Sequence, residues 1–383
     1  MAAFAAIGLA GCNTSGLPGL DSLSSNPAPQ TAPQQAEIPV IPGKVRVGLI
    51  LPLTAPGNAG VAGAALKNAA DMAIAEFNGS KVQLLVKDDR GTPDGAREAA
   101  QQALAEGAEI IVGPLLAPSV QAVGQVARGA NRSVIAFSTD ATVASRGVYL
   151  LSFMPESDVD RIVEFAVSRG KKSIAALIPN SAYGNVVAAA FQEAAARRNV
   201  RVPALERYDR GTLDGAVRRI AAVGDQADAL FVPESGDGMA AVGQALTTAG
   251  ISSQRLQPLG TGVWDDPRVL SVKAIQGGWF SAPEKAGFNA FASRYRARFG
   301  TEPTRIASLA YDAVFLVDAL YGKLGSQGFS DATLTNPEGI VGTDGLFRFR
   351  QDGTNQRGLA VLQVGGGSAQ TISPAPRAFS PGT

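Results

Sequence analysis

The sequence predicts an α/β fold built as two lobes, each with a parallel sheet. Three observations carry that expectation. Short apolar runs rich in branched residues alternate with longer Ala-rich stretches of helical spacing. The alternation halts after an apolar segment ending at Phe153 and then begins afresh. The chain, at 383 residues, also exceeds the length of a usual single domain.

Composition narrows the function. Lys and Arg number 34 against 33 Asp and Glu with no basic tract, so nothing supports a nucleic-acid groove. The absence of His removes the commonest general base and the commonest metal ligand together. Cys12 is the single thiol, which excludes an internal disulfide or a cysteine metal cluster. Gly57, Gly60 and Gly63 lack the GxGxxG spacing, and no GxxxxGK phosphate loop occurs. Asp88 and Asp89 are neighbours on one turn and make no spaced acid/base couple. The expectation is a binding protein, not an enzyme, with no cofactor and no metal.

The first unit runs from Val45 to Asn78. Val45–Leu51 reads as a buried strand, Pro52–Gly60 as a loop and Val61–Phe77 as a helix. A loop leaving the carboxyl end of a strand borders the ligand crevice of an open α/β sheet, so Leu53, Thr54 and Asn58 become site candidates. Lys81–Lys87 is the second strand, and Pro93 starts a helix reaching about Glu106. Glu109–Val112 is the third strand, stopped by Gly113-Pro114. Ser119 follows near a helix start, where it fits either a ligand hydroxyl or an ordinary N-cap. Ser133–Phe137 is the fourth strand, and Ser138, Thr139 and Asp140 at its end suit a polar ligand or a capped turn.

The second series begins with a helix over Ser157–Ser168, then a strand at Ser173–Ile178 and a helix to about Arg198. Tyr183-Gly184 pairs an amphipathic ring with a residue that permits tight geometry, a combination that lines clefts or packs at a loop base. Strands follow at Arg201–Tyr208 and Ala229–Val232, with helices at Leu213–Val223 and Met239–Ala249, and Gln257–Gly260 leads into TGVWDDP. Glu234 and Ser235 sit where a strand hands over to a helix, while Trp264 and Asp265 offer an aromatic wall with a carboxylate. Gln276–Pro283 reads as a crossing back toward the first lobe, and Ala286–Phe299 and Ile306–Leu320 as packed helices. Leu346–Arg350 and Leu359–Val364 read as a terminal hairpin around Asp352-Gly353, with an irregular tail from Gly365.

At the start, Leu9–Cys12 reads LAGC after an apolar run and before a Ser/Pro/Gln/Ala-rich tract. This resembles the end of a bacterial lipoprotein signal peptide, without the basic region that usually opens one. The resemblance implies lipidation at Cys12 and a body in the periplasm on a lipid tether to a bacterial membrane.

VGLILPLTAPG, VKDDRGTPDGAREAAQQAL, IIVGPLLAPSVQAV, IPNSAYGNVVAAAF and GTDGLFRFRQDGT stand in a characteristic order. Together they resemble type I periplasmic solute-binding proteins, the leucine/isoleucine/valine-binding receptors of ABC transporters. The resemblance implies two Rossmann-like lobes joined by a three-strand hinge. It gives lobe 1 as residues 44–152 plus 281–333 and lobe 2 as 153–280 plus 334–365. These follow a signal remnant at 1–12 and a linker at 13–43, and precede a tail at 366–383. It also implies a small polar ligand, an amino acid or amide, and a permease partner. At the family's carboxylate-binding turn Leu116-Ala117 replaces the usual serine, so Ala117 and Ser119 mark that side. Glu156 or Asp158 takes the ammonium-binding place, and Tyr183 matches the Tyr-Gly position. Asp140 stands where a hydroxyl is usual and would repel a carboxylate. Some outer-membrane lipoproteins of similar sequence activate penicillin-binding proteins, which is the alternative function.

Overall fold

The computed structural model describes residues 39–379, so Cys12 and most of the expected linker lie outside the described residues. The first sheet has the strand order β2-β1-β3-β4-β5, with β1 Val45–Leu51, β2 Val82–Asp88, β3 Ile110–Val112, β4 Ser133–Ala136 and β5 Val148–Leu150, all parallel. Residue alternation along β1 decides its two faces. Val45, Val47, Leu49 and Leu51 enter one core with α1 (Asn58–Glu76), while Ile50 enters another with α2 (Pro93–Ala105) and α3 (Ala117–Gly129). Gly48 faces α2, where a Cβ would lie 2.9 Å from that of Ala103, so its missing side chain lets the helix approach.

The second sheet repeats that order. Strands β6 Ile174–Pro179, β7 Leu205–Tyr208, β8 Ala229–Phe231, β9 Gln257–Gly260 and β10 Trp279–Ala282 run parallel as β7-β6-β8-β9-β10. Helices α4 (Pro155–Ser168) and α5 (Ala182–Arg197) cover one face; α6 (Leu213–Ala222), α7 (Gly236–Thr248) and the short α8 (Pro267–Leu270) cover the other. Local chemistry sets the helix starts. Thr92 accepts the Gly95 N–H ahead of Pro93, and Ser181 accepts the Gly184 N–H. α9 (Lys285–Phe299), α10 (Ala307–Leu324) and the short α11 (Asp331–Leu334) return to the first core through Phe291, Tyr295, Val314 and Leu334.

The two bodies are mixed α/β with parallel sheets, as expected, and the chain passes between their cores at three places: after Met154, after Ala282 and after Arg357. Three expectations are corrected. The hairpin around Asp352-Gly353 pairs β12 (Gly345–Phe349) with β13 (Asn355–Arg357), which with β11 (Ile340–Gly342) form a three-stranded antiparallel sheet. The strand taken as its partner, β14 (Ala360–Gly365), instead joins the second sheet against β10. Residues 334–357 were expected in lobe 2, yet Leu334, Phe347 and Phe349 pack in the first core, because the alternation of β12 points both rings there. The tail is not irregular throughout: β15 (Ser368–Ser373) pairs with β14 across a turn of Gly366 and Gly367, both at positive φ.

Candidate functional site

In a sheet of order 2-1-3-4-5 the crevice opens at the carboxyl ends of the strands, where the order reverses. In the first body those ends carry Leu53, Thr54, Ala117, Ser119 and Ser138–Asp140. Thr54 and Leu53 are held by Asp88 at the end of β2. Its carboxylate accepts the Leu53 N–H at 2.9 Å, the Thr54 hydroxyl at 2.6 Å and the Arg90 N–H at 2.8 Å. Burial alone would raise Asp88, but these hydrogen bonds outweigh it and hold it below the usual carboxylate value. The Thr54 hydroxyl is therefore engaged within the loop.

Ser119 is fully buried in the first turn of α3, where its hydroxyl meets the Thr92 carbonyl and the carboxyl of Asp89. It is not the N-cap, a place taken by Leu116, and it faces α2 rather than a crevice. Ala117, the first residue of α3, is half-buried beside it. At the end of β4 the turn-capping role prevails. Ser138 accepts the Asp140 N–H, and Asp140 accepts the Thr142 N–H at 2.9 Å and its hydroxyl at 2.6 Å. Thr139 is left exposed.

The second body draws its candidates closer together. The Tyr183 hydroxyl lies 2.6 Å from that of Thr261, at the end of β9. Next to it a Cβ on Gly184 would fall 1.9 Å from the Pro179 carbonyl, so only glycine lets α5 start so near its strand. Asp158, in the first turn of α4, receives the Gly262 N–H at 3.4 Å, and its backbone carbonyl accepts the Ser281 hydroxyl at 2.8 Å. Burial pushes Asp158 up to about 7, against the Gly262 and Ser281 hydrogen bonds and the charge of Arg357. It lies deep yet retains partial solvent access. The Tyr183 phenol is raised, first by burial and then by the negative charges of Asp158 and Glu234.

Glu234 is committed locally, accepting the Tyr208 hydroxyl and the N–H of Ser235. Ser235 directs its own hydroxyl to Glu234 while standing at the start of α7. Trp264 forms no open wall. It is fully buried, donates its indole N–H to the Val232 carbonyl at 2.9 Å, and packs on Gly260, where a Cβ would come within 2.2 Å of the ring. Asp265 pairs with Lys285 at 2.5 Å, linking the end of β9 to α9, which packs on the first core. Glu156 is raised by burial and feels Asp140, so the crossing brings those two carboxylates together; its Oε2 is buried without a hydrogen-bond partner.

Two surface depressions, one beside Lys44 and Asn78 and one between α3 and Ser145, are lined by none of these residues. Among the described residues no group of three metal-ligating side chains forms.

A family model for the periplasmic binding protein family matches residues 44–369. The chain belongs to that family. Solved structures share the fold. One assigned to a branched-chain amino acid ABC transporter of Rhodospirillum rubrum is 21% identical with a TM-score of 0.76, covering 86% of this chain and 100% of its own. A solute-binding protein of Rhodopseudomonas palustris in complex with 3,4-dihydroxybenzoic acid is 21% identical with a TM-score of 0.61, covering 89% and 99%. The branched-chain amino acid binding protein of Streptococcus pneumoniae in complex with isoleucine is 19% identical with a TM-score of 0.57, covering 86% and 100%. No curated protein sequence matches.

Several residues of this periplasmic binding protein escape sequence reasoning. Gly262 and Ser281 reach Asp158, and Thr261 reaches Tyr183, from strand ends far away in sequence, a proximity that only the second sheet creates. The crossings are joined by Asn355 and Arg357, which donate to the same Ser152 carbonyl at 2.7 and 2.8 Å, and by Arg161, whose Nε donates to the Leu359 carbonyl at 2.9 Å. The signal for Asp88 was present in its place at a strand end, beside a loop of free N–H groups.

Proposed function

We propose that the protein is an extracytoplasmic receptor that closes on a small polar solute, an amino acid or amide, and presents it to an ABC permease. One observation carries the reading. Both sheets turn the carboxyl ends of their strands toward the same three crossings, and Asp158, reached by groups from β9 and β10, lies where they meet. Relatives of this fold hold leucine, isoleucine and aromatic acids in their structures, which supports a carboxylate-bearing solute of modest size. Family membership favours this role over activation of a penicillin-binding protein. A lipid at Cys12 would tether the receptor to a bacterial membrane.

The candidate ligand groups are Tyr183, Asp158 and Glu156, with the Leu53–Thr54 loop, Ala117 and Thr139 forming the opposite wall. A thermal-shift screen of amino acids, amides and aromatic acids, followed by small-angle scattering of any hit, tests the reading. A solute that raises the melting temperature and shrinks the radius of gyration is expected. No hit, together with direct capture of a transpeptidase, would overturn it.

A further inference from the structure

The third crossing carries a buried guanidinium whose fork has no hydrogen-bond partner. Arg357 is 5% exposed. Its Nε donates to the Ser152 carbonyl, yet Nη1 and Nη2 have no hydrogen-bond partner. Its Cζ lies 4.6 Å from the ring centre of Phe153 and 5.5 Å from that of Phe347, so aromatic contacts hold the guanidinium while leaving its fork unfilled. A buried guanidinium with empty donors is costly, and proteins rarely leave one so.

The carboxylates around it are engaged elsewhere. Asp344 is held by Arg305 and by the Ser308 hydroxyl. Asp312 accepts the Thr343 N–H and hydroxyl. Asp158 receives Gly262 and Ser281. All three act on Arg357 through their charge, as Arg305 does with the opposite sign, and none fills its fork. Asn355, two residues earlier on the same face of β13, donates to the same Ser152 carbonyl and leaves its Oδ1 unfilled. A planar bidentate donor thus stands beside a free acceptor, next to Phe153 and close enough to Asp158 for their charges to interact.

We propose that Arg357 is a specificity-determining residue of the solute site, whose Nη1 and Nη2 receive the carboxylate of a small organic acid, with Asn355 Oδ1 accepting from a neighbouring donor group of that solute. The inference rests on the receptor reading and names the class of solute. A carboxylate matches the guanidinium fork in plane and charge, whereas an amide or an amine does not.

The test compares each acid with its amide. Leucine against leucinamide and benzoate against benzamide are titrated by calorimetry into the wild-type protein, Arg357→Gln and Arg357→Lys, with circular dichroism checking that the variants fold. The wild type is expected to favour an acid by about tenfold or more, the loss typical of a charged hydrogen-bond partner. Arg357→Gln erases that preference, and Arg357→Lys retains part of it. Equal weakening of acid and amide would show a structural role only and overturn the proposal. So would a wild-type protein that binds the amides as well as the acids, or one whose solutes prove to be amines without an acid group; in both cases the receptor reading survives. A solute-bound crystal structure with only water on Nη1 and Nη2 would also overturn it. If no solute of any class binds the wild type, the receptor reading fails and the proposal falls with it.

Discussion

Replacing Asp158 by Asn should flatten the pH dependence of stability between acid and neutral conditions. In the folded protein burial lifts Asp158 to about 7 from its ordinary 3.8. Below both values the carboxyl is protonated in the folded and unfolded chains alike, and stability is undiminished. As pH rises through this window the unfolded chain gives up its proton while the folded one keeps it, so folding weakens by about 1.4 kcal/mol per pH unit. Across the window the loss amounts to about 4 kcal/mol, a ceiling because the side chain retains partial solvent access. An Asn amide still accepts the Gly262 N–H and carries no charge at any pH. Urea unfolding of both proteins at about pH 5 and about pH 7 reads the difference, with the variant expected to gain ~2–3 kcal/mol relative to wild type on going to the higher pH. Asp312, raised to about 6, and the raised Asp89 tilt both curves and drop out of the comparison, while Glu156, whose charge acts on Asp158, contributes to the difference. Parallel curves, within about 0.5 kcal/mol, would refute the placement of Asp158 as a buried acid beside Gly262 and Ser281.

Gly260→Ala places a methyl group within 2.2 Å of the Trp264 ring and should cost ~1–3 kcal/mol or more with a red-shifted indole emission; unchanged emission would contradict the packing. Asp88→Asn removes the charge that gathers the Leu53 and Thr54 N–H groups and should cost ~1–3 kcal/mol, with faster amide exchange at those two residues as the specific readout. Tyr183→Phe deletes the contact to Thr261 and should lower stability by ~0.5–1.5 kcal/mol, measured by thermal melting; no change would mean that water replaces the phenol without loss.

The bounds of β1 were legible to the residue, because a largely apolar, branched run closed by Pro52 reads as one buried strand. The repeat of strand and helix foretold two sheets, and the cap residues fixed α2. The last strands were not legible. Leu346–Arg350 and Leu359–Val364 are both apolar runs flanking a turn, and the three residues of β13 between them are polar, so pattern alone pairs the wrong two. For the site, the carboxyl-end rule brought the Tyr183 loop into view and the family resemblance brought Asp158, but neither could tell an engaged side chain from a free one. Ser119, Asp140, Glu234 and Trp264 share the positional signature of ligand groups, and each turns out to serve a turn, a helix or a core. Arg357 was missed for the opposite reason: on β13 it reads as a surface strand residue, and its burial comes from Phe153 on another crossing.

The crossings themselves show why polar residues collect there. A strand that leaves its sheet stops exchanging ladder hydrogen bonds, so carbonyls such as those of Ser152 and Leu359 need other donors. Side chains supply them: Asn355 and Arg357 to Ser152, Arg161 to Leu359. Each bond contributes about 1 kcal/mol net, far less than a sheet ladder contributes collectively. A joint stitched by individual side chains can exchange partners as the two bodies rotate, whereas a continuous ladder would have to break as a unit. The unfilled fork of Arg357 belongs to this logic, since a solute carboxylate arriving there would add a stitch at a crossing.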